Sequence, residues 1–279
     1  MIQLIALDFD GTIAARKQPV DDTMMKYINN WKEQNIETVI VSGRPYRSLK
    51  RELEPIQEDV FIVSNNGNLI RTKNSEKTFY KNTFPKEKIR PIAEAMIARG
   101  IHPIFHVDSY FKGYDLVTLF ETTEREASYI SFYENLYKRM TLEEVEEEDV
   151  LVIAGYTTAD VFYDLEEDEA LKSSGMTAHL LKSKDKTLSL IEIIGNTNKW
   201  NGLEKLAELK GIDTEKIVAF GDDMNDESMI EHAGIGVAMA SAPEAVKEKS
   251  DIVCQEPPET YGAFKLADKI INKEVTIEN

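Results

Sequence analysis

The chain has 279 residues, 42% of them hydrophobic and 30% charged, which is the composition of a globular protein. Its formal charge of −17 at pH 7 argues against a nucleic-acid partner, because there is no basic stripe to contact phosphates. No apolar stretch reaches the length of a membrane span, and residues 1–3 lead directly into the first predicted strand, leaving no room for a signal peptide. Cys254 is the only cysteine, so no intrachain disulfide can form and we expect a cytoplasmic protein.

Strand and helix patterns alternate over the first 80 residues. Residues 4–7 are apolar without alternation, which is typical of a strand buried on both faces. Asn65-Asn-Gly-Asn68 is a turn signal that predicts a hairpin through residues 78–80. The series consists of strands 4–7, 37–41 and 60–63, with one helix at 21–32 and another after Pro45. This βαβαβ order predicts a doubly wound parallel, Rossmann-like sheet.

The pattern changes at about residue 83 and returns to sheet-like order at about residue 192. The intervening block predicts helices 86–99, 124–137 and 160–172 and strands 102–107, 150–153, 178–181 and 188–194. After it come helices 199–209, 226–232 and 261–271 and strands 217–220, 235–237 and 251–254. We therefore predict a core of residues 1–82 and 192–279 with an inserted α+β domain at residues 83–191.

Two carboxylates, Asp8 and Asp10, follow the first predicted strand and precede Gly11. Strand alternation sends both side chains to one side, at the edge where open α/β sheets bind ligands. Such a pair suits Mg²⁺, or a nucleophile beside a proton donor. Taken alone, the motif is equally consistent with a solvated Asp-Gly turn. An EF-hand is less favoured, because the acceptor expected at Thr12 is missing.

Three further motifs each lie at a predicted strand end or helix start. They are Ser42-Gly-Arg44, then Lys199 in Asn196-Thr-Asn-Lys199-Trp-Asn, and then Gly221-Asp-Asp-Met-Asn-Asp226. In this order, with Leu4 to Thr12 as the first motif, the sequence resembles the haloacid dehalogenase-like phosphohydrolases. An insertion between the second and third motifs points to the Cof-like subgroup, which has a type IIB cap domain. The segment around Lys199 departs from the Gly-Val-Ser-Lys-Gly that is usual in that subgroup.

The resemblance implies a role for each motif residue. Asp8 would be the nucleophile that forms an aspartyl-phosphate, and Asp10 the general acid and then the base, as the chemistry of phosphoryl transfer requires. Lys199 would neutralise both the phosphate and Asp8. The Ser42 hydroxyl and N–H suit a phosphoryl oxygen, although Ser42 could equally be a helix N-cap. The resemblance also implies that Mg²⁺ is bound by Asp8, by Asp222 and by the backbone carbonyl of Asp10. Asp226 would act indirectly, through water or by orienting Lys199. Substrate or phosphate contact is implied for Gly43, Arg44 and Asn225.

We thus predict a Mg²⁺-dependent hydrolase that acts on small phosphorylated metabolites such as sugar phosphates. P-type ATPases share the nucleophile, but they lack an acid two residues later and they need membrane spans. A phosphosugar mutase and a catalytically idle phosphate-binding regulator stay open as alternatives, since no residue of the inserted domain decides between them. The natural substrate, the oligomeric state and the role of His106 are not predicted. Arg44 could also pair with nearby acids, and we expect Tyr110, Phe111 and Tyr114 to pack within the inserted domain.

Overall fold

The computed structural model describes residues 1–15, 19–132, 136–181 and 188–275. The chain divides into two compact units, the first made of residues 1–81 and 197–279 and the second of residues 82–196. The strands are β1 (Leu4–Asp8), β2 (Glu37–Val41), β3 (Phe61–Ser64), β4 (Leu69–Thr72), β5 (Thr78–Lys81), β6 (Ile104–Val107), β7 (Leu116–Thr118), β8 (Tyr137–Arg139), β9 (Val150–Thr157), β10 (Thr177–Leu181), β11 (Ser189–Ile194), β12 (Ile217–Gly221), β13 (Ile235–Met239) and β14 (Ile252–Cys254). The helices are α1 (Asp22–Glu33), α2 (Tyr46–Glu52), α3 (Lys86–Ala98), α4 (Glu124–Phe132), α5 (Leu142–Val145), α6 (Ala159–Glu166), α7 (Glu169–Lys172), α8 (Lys199–Lys210), α9 (Glu227–His232), α10 (Glu244–Lys247) and α11 (Gly262–Ile271).

The described part of the first unit is built on a sheet with the strand order β14-β13-β12-β1-β2-β3-β4-β5. The strands from β14 to β3 run parallel, and β4 and β5 are added antiparallel. After β1 the chain adds β2 and β3 on one side of that strand. It later adds β12, β13 and β14 on the other side. The switch point therefore lies between β1 and β12, where open α/β sheets bind their ligands.

Apolar helix faces cover this sheet. Leu203, Leu206 and Met229 of α8 and α9 pack in one cluster with strand residues such as Ala6 and Val39. Helix α1 contacts β2 and also α11, where the ring centroids of Trp31 and Phe264 lie 5.6 Å apart in a stacked arrangement. Buried aromatic and aliphatic side chains of this kind supply most of the stabilisation of such a fold. The predicted doubly wound α/β core is confirmed.

The second unit contains a sheet with the order β10-β11-β9-β6-β7-β8 among the described residues. Its neighbouring strands are antiparallel except for the parallel pair β7 and β8. Helices α3, α6 and α7 pack on it through residues such as Ile92, Phe162 and Leu171, which cluster with Phe105 and Ile193. It is thus an α+β unit, as the sequence predicted.

The structure of the second unit differs from the expected pattern at three places. The boundary at 191/192 falls inside β11, whose pairing with β9 continues to Ile194, and the units divide at 196/197 instead. The helix predicted at 160–172 is two helices, because the Asp168 side chain accepts a hydrogen bond from the Ala170 N–H and starts a new one. The helix predicted at 124–137 is described only to residue 132; residues 133–135 lie outside the described part, and Tyr137 begins β8.

The side chains whose roles the sequence left open lie in different surroundings. Tyr114 is buried and its hydroxyl donates to Glu148, whereas Phe111 is 69% exposed and its ring contacts that of Tyr110, with the centroids 5.1 Å apart. His106 is buried on β6, with Nε2 2.8 Å from the Tyr129 hydroxyl. Within the described residues, no helix combines the length and apolarity that crossing a bilayer requires.

Burial of His106 makes the stability of the second unit depend on pH. Burial lowers the pKa of His106 from 6.5 to about 4, so the unfolded chain binds this proton first as the pH falls. The stabilisation is complete above pH 6.5 and is lost as the pH drops towards 4. When the pH falls from 7 to 5, we expect the contribution of His106 to the free energy of unfolding to decrease by about 2 kcal/mol. Urea unfolding of the wild type and of His106→Gln at both pH values measures this difference, and equal pH dependence in the two proteins would contradict it.

Candidate active site

A buried lysine connects two carboxylates at the carboxyl edge of the first unit's sheet. The Nζ atom of Lys199 donates to Asp8 Oδ1 at 2.7 Å and to Asp226 Oδ1 at 2.6 Å. The three side chains are at most 5% exposed. Asp8 is the last residue of β1, and Lys199 is the first residue of α8, which Asn198 caps with its side chain. The first turn of a helix does not favour a cation, so the two carboxylates offset an unfavourable location.

Asp222 is the third carboxylate of this centre. One carboxylate oxygen from each of Asp8, Asp222 and Asp226 lies within 4.8 Å of the others. The carboxylate of Asp222 packs directly on Gly11, since an ideal Cβ there would lie 2.1 Å from Asp222 Oδ2. Gly11 also has φ of +84°, a conformation that side chains rarely adopt. The turn after β1 thus needs a glycine in order to accommodate the acid that follows β12.

Asp226 is held by three hydrogen bonds. Its Oδ1 accepts from Lys199, and its Oδ2 accepts from the backbone N–H groups of Asp222 and Asp223 at 3.0 and 3.1 Å. Its side chain is fully buried. Asp226 therefore orients both the lysine and the loop that carries Asp222. Asp223, in contrast, is exposed, and its side chain accepts from the backbone N–H groups of Met224 and Asp226 in a capping box.

The charges of the centre are not balanced by its own residues. Burial and the negative charge of Asp226 raise the pKa of Asp8 well above its ordinary value, against the opposing effect of Lys199. The same two causes raise the pKa of Asp222 to about 6. Burial alone would lower the pKa of Lys199, but Asp226 and Asp8 raise it above its ordinary value. Carboxylate oxygens that lack a compensating charge fit a hard divalent cation such as Mg²⁺.

Asp10 and Arg44 form an ion pair beside this centre. The guanidinium of Arg44 donates from Nε to Asp10 Oδ2 at 2.7 Å and from Nη2 to Oδ1 at 2.5 Å. Its Cζ also lies 5.1 Å from the centroid of the Phe9 ring, and Nη1 lies 3.6 Å from Glu52. The Asp10 side chain is 53% exposed, so its carboxylate is accessible while a bidentate pair fixes its orientation. Of the two roles considered for Arg44, substrate contact and pairing with a nearby acid, the structure shows the pairing.

Ser42, Gly43 and Asn225 lie on the loops that follow β2 and β12. Asp8 pairs in register with Val41, so Ser42 follows at the same edge of the sheet. The Ser42 N–H donates to the Val63 carbonyl and is therefore not available for a phosphoryl oxygen, contrary to the prediction. Its hydroxyl oxygen accepts from the Arg44 N–H, and Pro45 rather than Ser42 is the N-cap of α2.

Two polar residues of this edge were not predicted from the sequence. Thr12 is fully buried and its hydroxyl lies 3.4 Å from Asp222 Oδ1. Asn66 accepts a hydrogen bond from Asn225 Nδ2 at 3.3 Å. The Asn65-Asn-Gly-Asn68 turn was interpreted only as a hairpin signal. The turn directly follows a parallel strand, and this position could have indicated site residues, because the carboxyl ends of parallel strands lie at the edge of the sheet where ligands bind.

Lys199 is expected to stabilise the fold as well as the site. Lys199→Met leaves two buried carboxylates without their cation, which should lower the free energy of unfolding by about 3 kcal/mol. Lys205→Met is the matched control on the same helix, since the partner Glu208 is 70% exposed and such a pair contributes at most about 0.5 kcal/mol. Urea unfolding in EDTA measures both changes. A loss below about 1 kcal/mol for Lys199→Met would contradict the assigned role.

The fold and the centre define an α/β enzyme with carboxylates and a lysine at the switch point of its sheet. A sequence model described as haloacid dehalogenase-like hydrolase matches residues 5–263. The chain therefore belongs to the haloacid dehalogenase-like hydrolase family.

Curated relatives and solved structures resemble nearly the whole chain. The 5-amino-6-(5-phospho-D-ribitylamino)uracil phosphatase YitU of Bacillus subtilis is 28% identical over 253 residues, which are 88% of this chain and 89% of that protein. The pyridoxal phosphate phosphatase YbhA of Escherichia coli is 25% identical and covers 90% and 92%. A haloacid dehalogenase-like hydrolase from Bacteroides thetaiotaomicron has the same fold, with a TM-score of 0.79, 24% identity and coverage of 97% and 100%. The predicted family and the predicted enzyme class, a phosphatase, are confirmed.

Proposed function

We propose that this enzyme hydrolyses phosphomonoesters of small metabolites, including sugar-phosphate-like compounds, with Mg²⁺ and through a phosphorylated Asp8. The observation that carries the proposal is the ammonium of Lys199, held 2.7 Å from Asp8 and 2.6 Å from Asp226 beside Asp222. The relatives support it, since their names specify phosphate esters of small organic molecules.

Two displacements at phosphorus describe the reaction. A carboxylate oxygen of Asp8 forms a bond to phosphorus while the bond to the leaving oxygen breaks, and Asp10 gives its proton to that oxygen. A water molecule then attacks the phosphorus of the aspartyl-phosphate, Asp10 takes the proton from this water, and the bond to Asp8 breaks to release phosphate. Lys199 offsets negative charge on Asp8 and on the phosphoryl oxygens. The hydroxyl of Ser42 and the side chain of Asn225 would contact the phosphoryl group.

The carboxylates of Asp8 and Asp222, with the backbone carbonyl of Asp10, would hold Mg²⁺. Oxygen donors of this kind are those that Mg²⁺ takes in proteins. An ion bound there supplies positive charge beside the phosphoryl oxygens, which lowers the cost of bringing a phosphate to buried carboxylates. Asp226 would act indirectly, because its oxygens already accept three hydrogen bonds.

The second unit, residues 82–196, would determine substrate selectivity. The residues assigned to the chemistry lie in the first unit. They act on the phosphoryl group, which every phosphomonoester has. Selectivity among esters then requires contacts that the chemistry does not supply, and an inserted domain offers them.

Hydrolysis of para-nitrophenyl phosphate in the presence of Mg²⁺ tests the proposal directly. Release of nitrophenol and phosphate in equal amounts is the expected result. A phosphate-binding regulator would release neither, and a mutase would transfer phosphate between sugars faster than to water. A panel of phosphorylated metabolites, followed by phosphate release, then identifies the preferred class of substrate.

The role of Asp10 predicts a dependence on the leaving group. An alkoxide needs the proton that Asp10 supplies, whereas nitrophenolate leaves readily without it. Asp10→Asn should therefore lower kcat/KM for a hexose phosphate about 10²-fold or more and change it little for para-nitrophenyl phosphate. The kcat values for both substrates should fall, since the attack of water on phospho-Asp8 still needs a base. An equal loss of kcat/KM for the two substrates would show that Asp10 is not the acid.

A further inference from the structure

The turn between β3 and β4 has an unusual backbone. Asn65, Asn66 and Gly67 have φ angles of +52°, +54° and +96° in succession. The left-handed region costs a residue with a side chain about 1–2 kcal/mol, although asparagine tolerates it best. At Gly67 a Cβ would lie 2.2 Å from the carbonyl oxygen of Asn198, the N-cap of the helix that begins with Lys199. The turn thus combines strain with a close approach to the lysine motif.

The polar groups of the turn bind the loops of the active site. The N–H of Asn65 donates to the Arg44 carbonyl at 3.0 Å, and the N–H of Asn66 donates to the Ser42 carbonyl at 3.2 Å. The Asn66 side chain accepts from Asn225 Nδ2 at 3.3 Å, and its Oδ1 lies 3.0 Å from where a Cβ on Gly43 would be. A turn that only joined two strands would have no need of these bonds to residues outside its hairpin.

We propose that Asn66 is a positioning residue for phosphate binding. Its left-handed backbone holds the Ser42–Arg44 loop, and its carboxamide, packed on Gly43, fixes the side chain of Asn225. The proposal rests on the proposed function, in which Ser42 and Asn225 contact the phosphoryl group. Asn66 itself acts through these residues, so its removal should weaken phosphate binding and leave the reaction steps unchanged.

The test compares the wild type with four variants, with inorganic phosphate as the ligand, by isothermal titration calorimetry in Mg²⁺ buffer. Asn66→Gly keeps the positive φ but removes the carboxamide, and it should raise the Kd for phosphate about fivefold, as the loss of one hydrogen bond predicts. Asn225→Ala should have a similar effect, and the double variant should be no worse than Asn225→Ala alone. The control is Asn35→Gly, at an exposed residue with φ of +59° at the end of α1, which should leave the Kd unchanged.

Kinetics with para-nitrophenyl phosphate separate positioning from general loosening of the fold. Asn66→Gly should raise KM about fivefold with kcat within about twofold of the wild type. Asn66→Asp keeps an acceptor for Asn225 and tolerates the backbone, so its Kd and KM should stay closer to the wild type than those of Asn225→Ala, and this can be measured even if Asn66→Gly is too unstable.

Several results would overturn the inference. A wild-type Kd for Asn66→Gly would do so, as would effects of Asn66→Gly and Asn225→Ala that add in full, or a Kd and KM for Asn66→Asp as high as those of Asn225→Ala. Failure of the proposed function is distinguishable, because a wild-type protein that binds phosphate but releases no nitrophenol refutes hydrolysis and still permits the calorimetric cycle. A wild type that binds no phosphate refutes both.

Discussion

Asp8→Asn should reduce phosphomonoester hydrolysis by about 10⁴-fold or more while leaving the fold intact. An amide has nearly the shape of a carboxylate, but it is a far weaker nucleophile towards phosphorus. The substitution also removes one of the three clustered carboxylates and so weakens the cation site. Because Asp8 is buried with a raised pKa, the neutral amide should not destabilise the protein. Steady-state rates with para-nitrophenyl phosphate, together with urea unfolding, measure both effects.

Asp223→Asn is the matched control for this substitution. It makes the same chemical change at an exposed acid of the loop that carries Asp222, where asparagine caps a turn as well as aspartate does. We expect its rate to stay within about threefold of the wild type. Normal turnover by Asp8→Asn, with a phosphorylated intermediate on another residue, would refute the assignment.

Removal of Mg²⁺ should abolish hydrolysis, and its return should restore it. Three neighbouring carboxylates and one ammonium leave the centre with excess negative charge, to which a phosphate would add more. Without a divalent cation the phosphate would meet carboxylates at close range, where repulsion is strong. The measurement is the rate of nitrophenol release in EDTA and after titration back with Mg²⁺.

Asp222→Asn should raise the Mg²⁺ concentration for half-maximal activity about tenfold or more, because it removes a proposed ligand. Asp223→Asn should leave that concentration unchanged, which separates the loss of a ligand from a general change of charge. Full activity after exhaustive chelation would contradict a metal-dependent reaction.

Much of the fold could be predicted because its signals are local. The apolar run before Asp8 marks a strand buried on both faces, and parallel strands bring their carboxyl ends to one edge. Strand β8 was missed because its three residues are exposed and carry no apolar alternation. The break between α6 and α7 depends on the single cap at Asp168. The sequence pattern is helical from 160 to 172, so it does not indicate this break.

For the site, the sequence supplied the candidate residues but not all of their partners. That Asp8, Lys199, Asp222 and Asp226 would lie near one another was implied by the family resemblance, whose four motifs occur in order at predicted strand ends and helix starts. The pairing of Arg44 with Asp10 joins two loops that are 34 residues apart. Whether Arg44 pairs with an acid or contacts the substrate depends on the orientation of its side chain, which the sequence does not give. The contact between Asn66 and Asn225 spans 159 residues and could not be inferred from either segment by itself.

The most direct test of the account is to identify the phosphorylated residue. Enzyme mixed with para-nitrophenyl phosphate and Mg²⁺ is quenched during turnover, reduced with borohydride and analysed by peptide mass spectrometry. An acyl phosphate on Asp8 would be reduced, so the account predicts homoserine in place of Asp8 in the wild type and its absence from Asp8→Asn. Nitrophenol release in the same samples without any reduction product at Asp8 would contradict it.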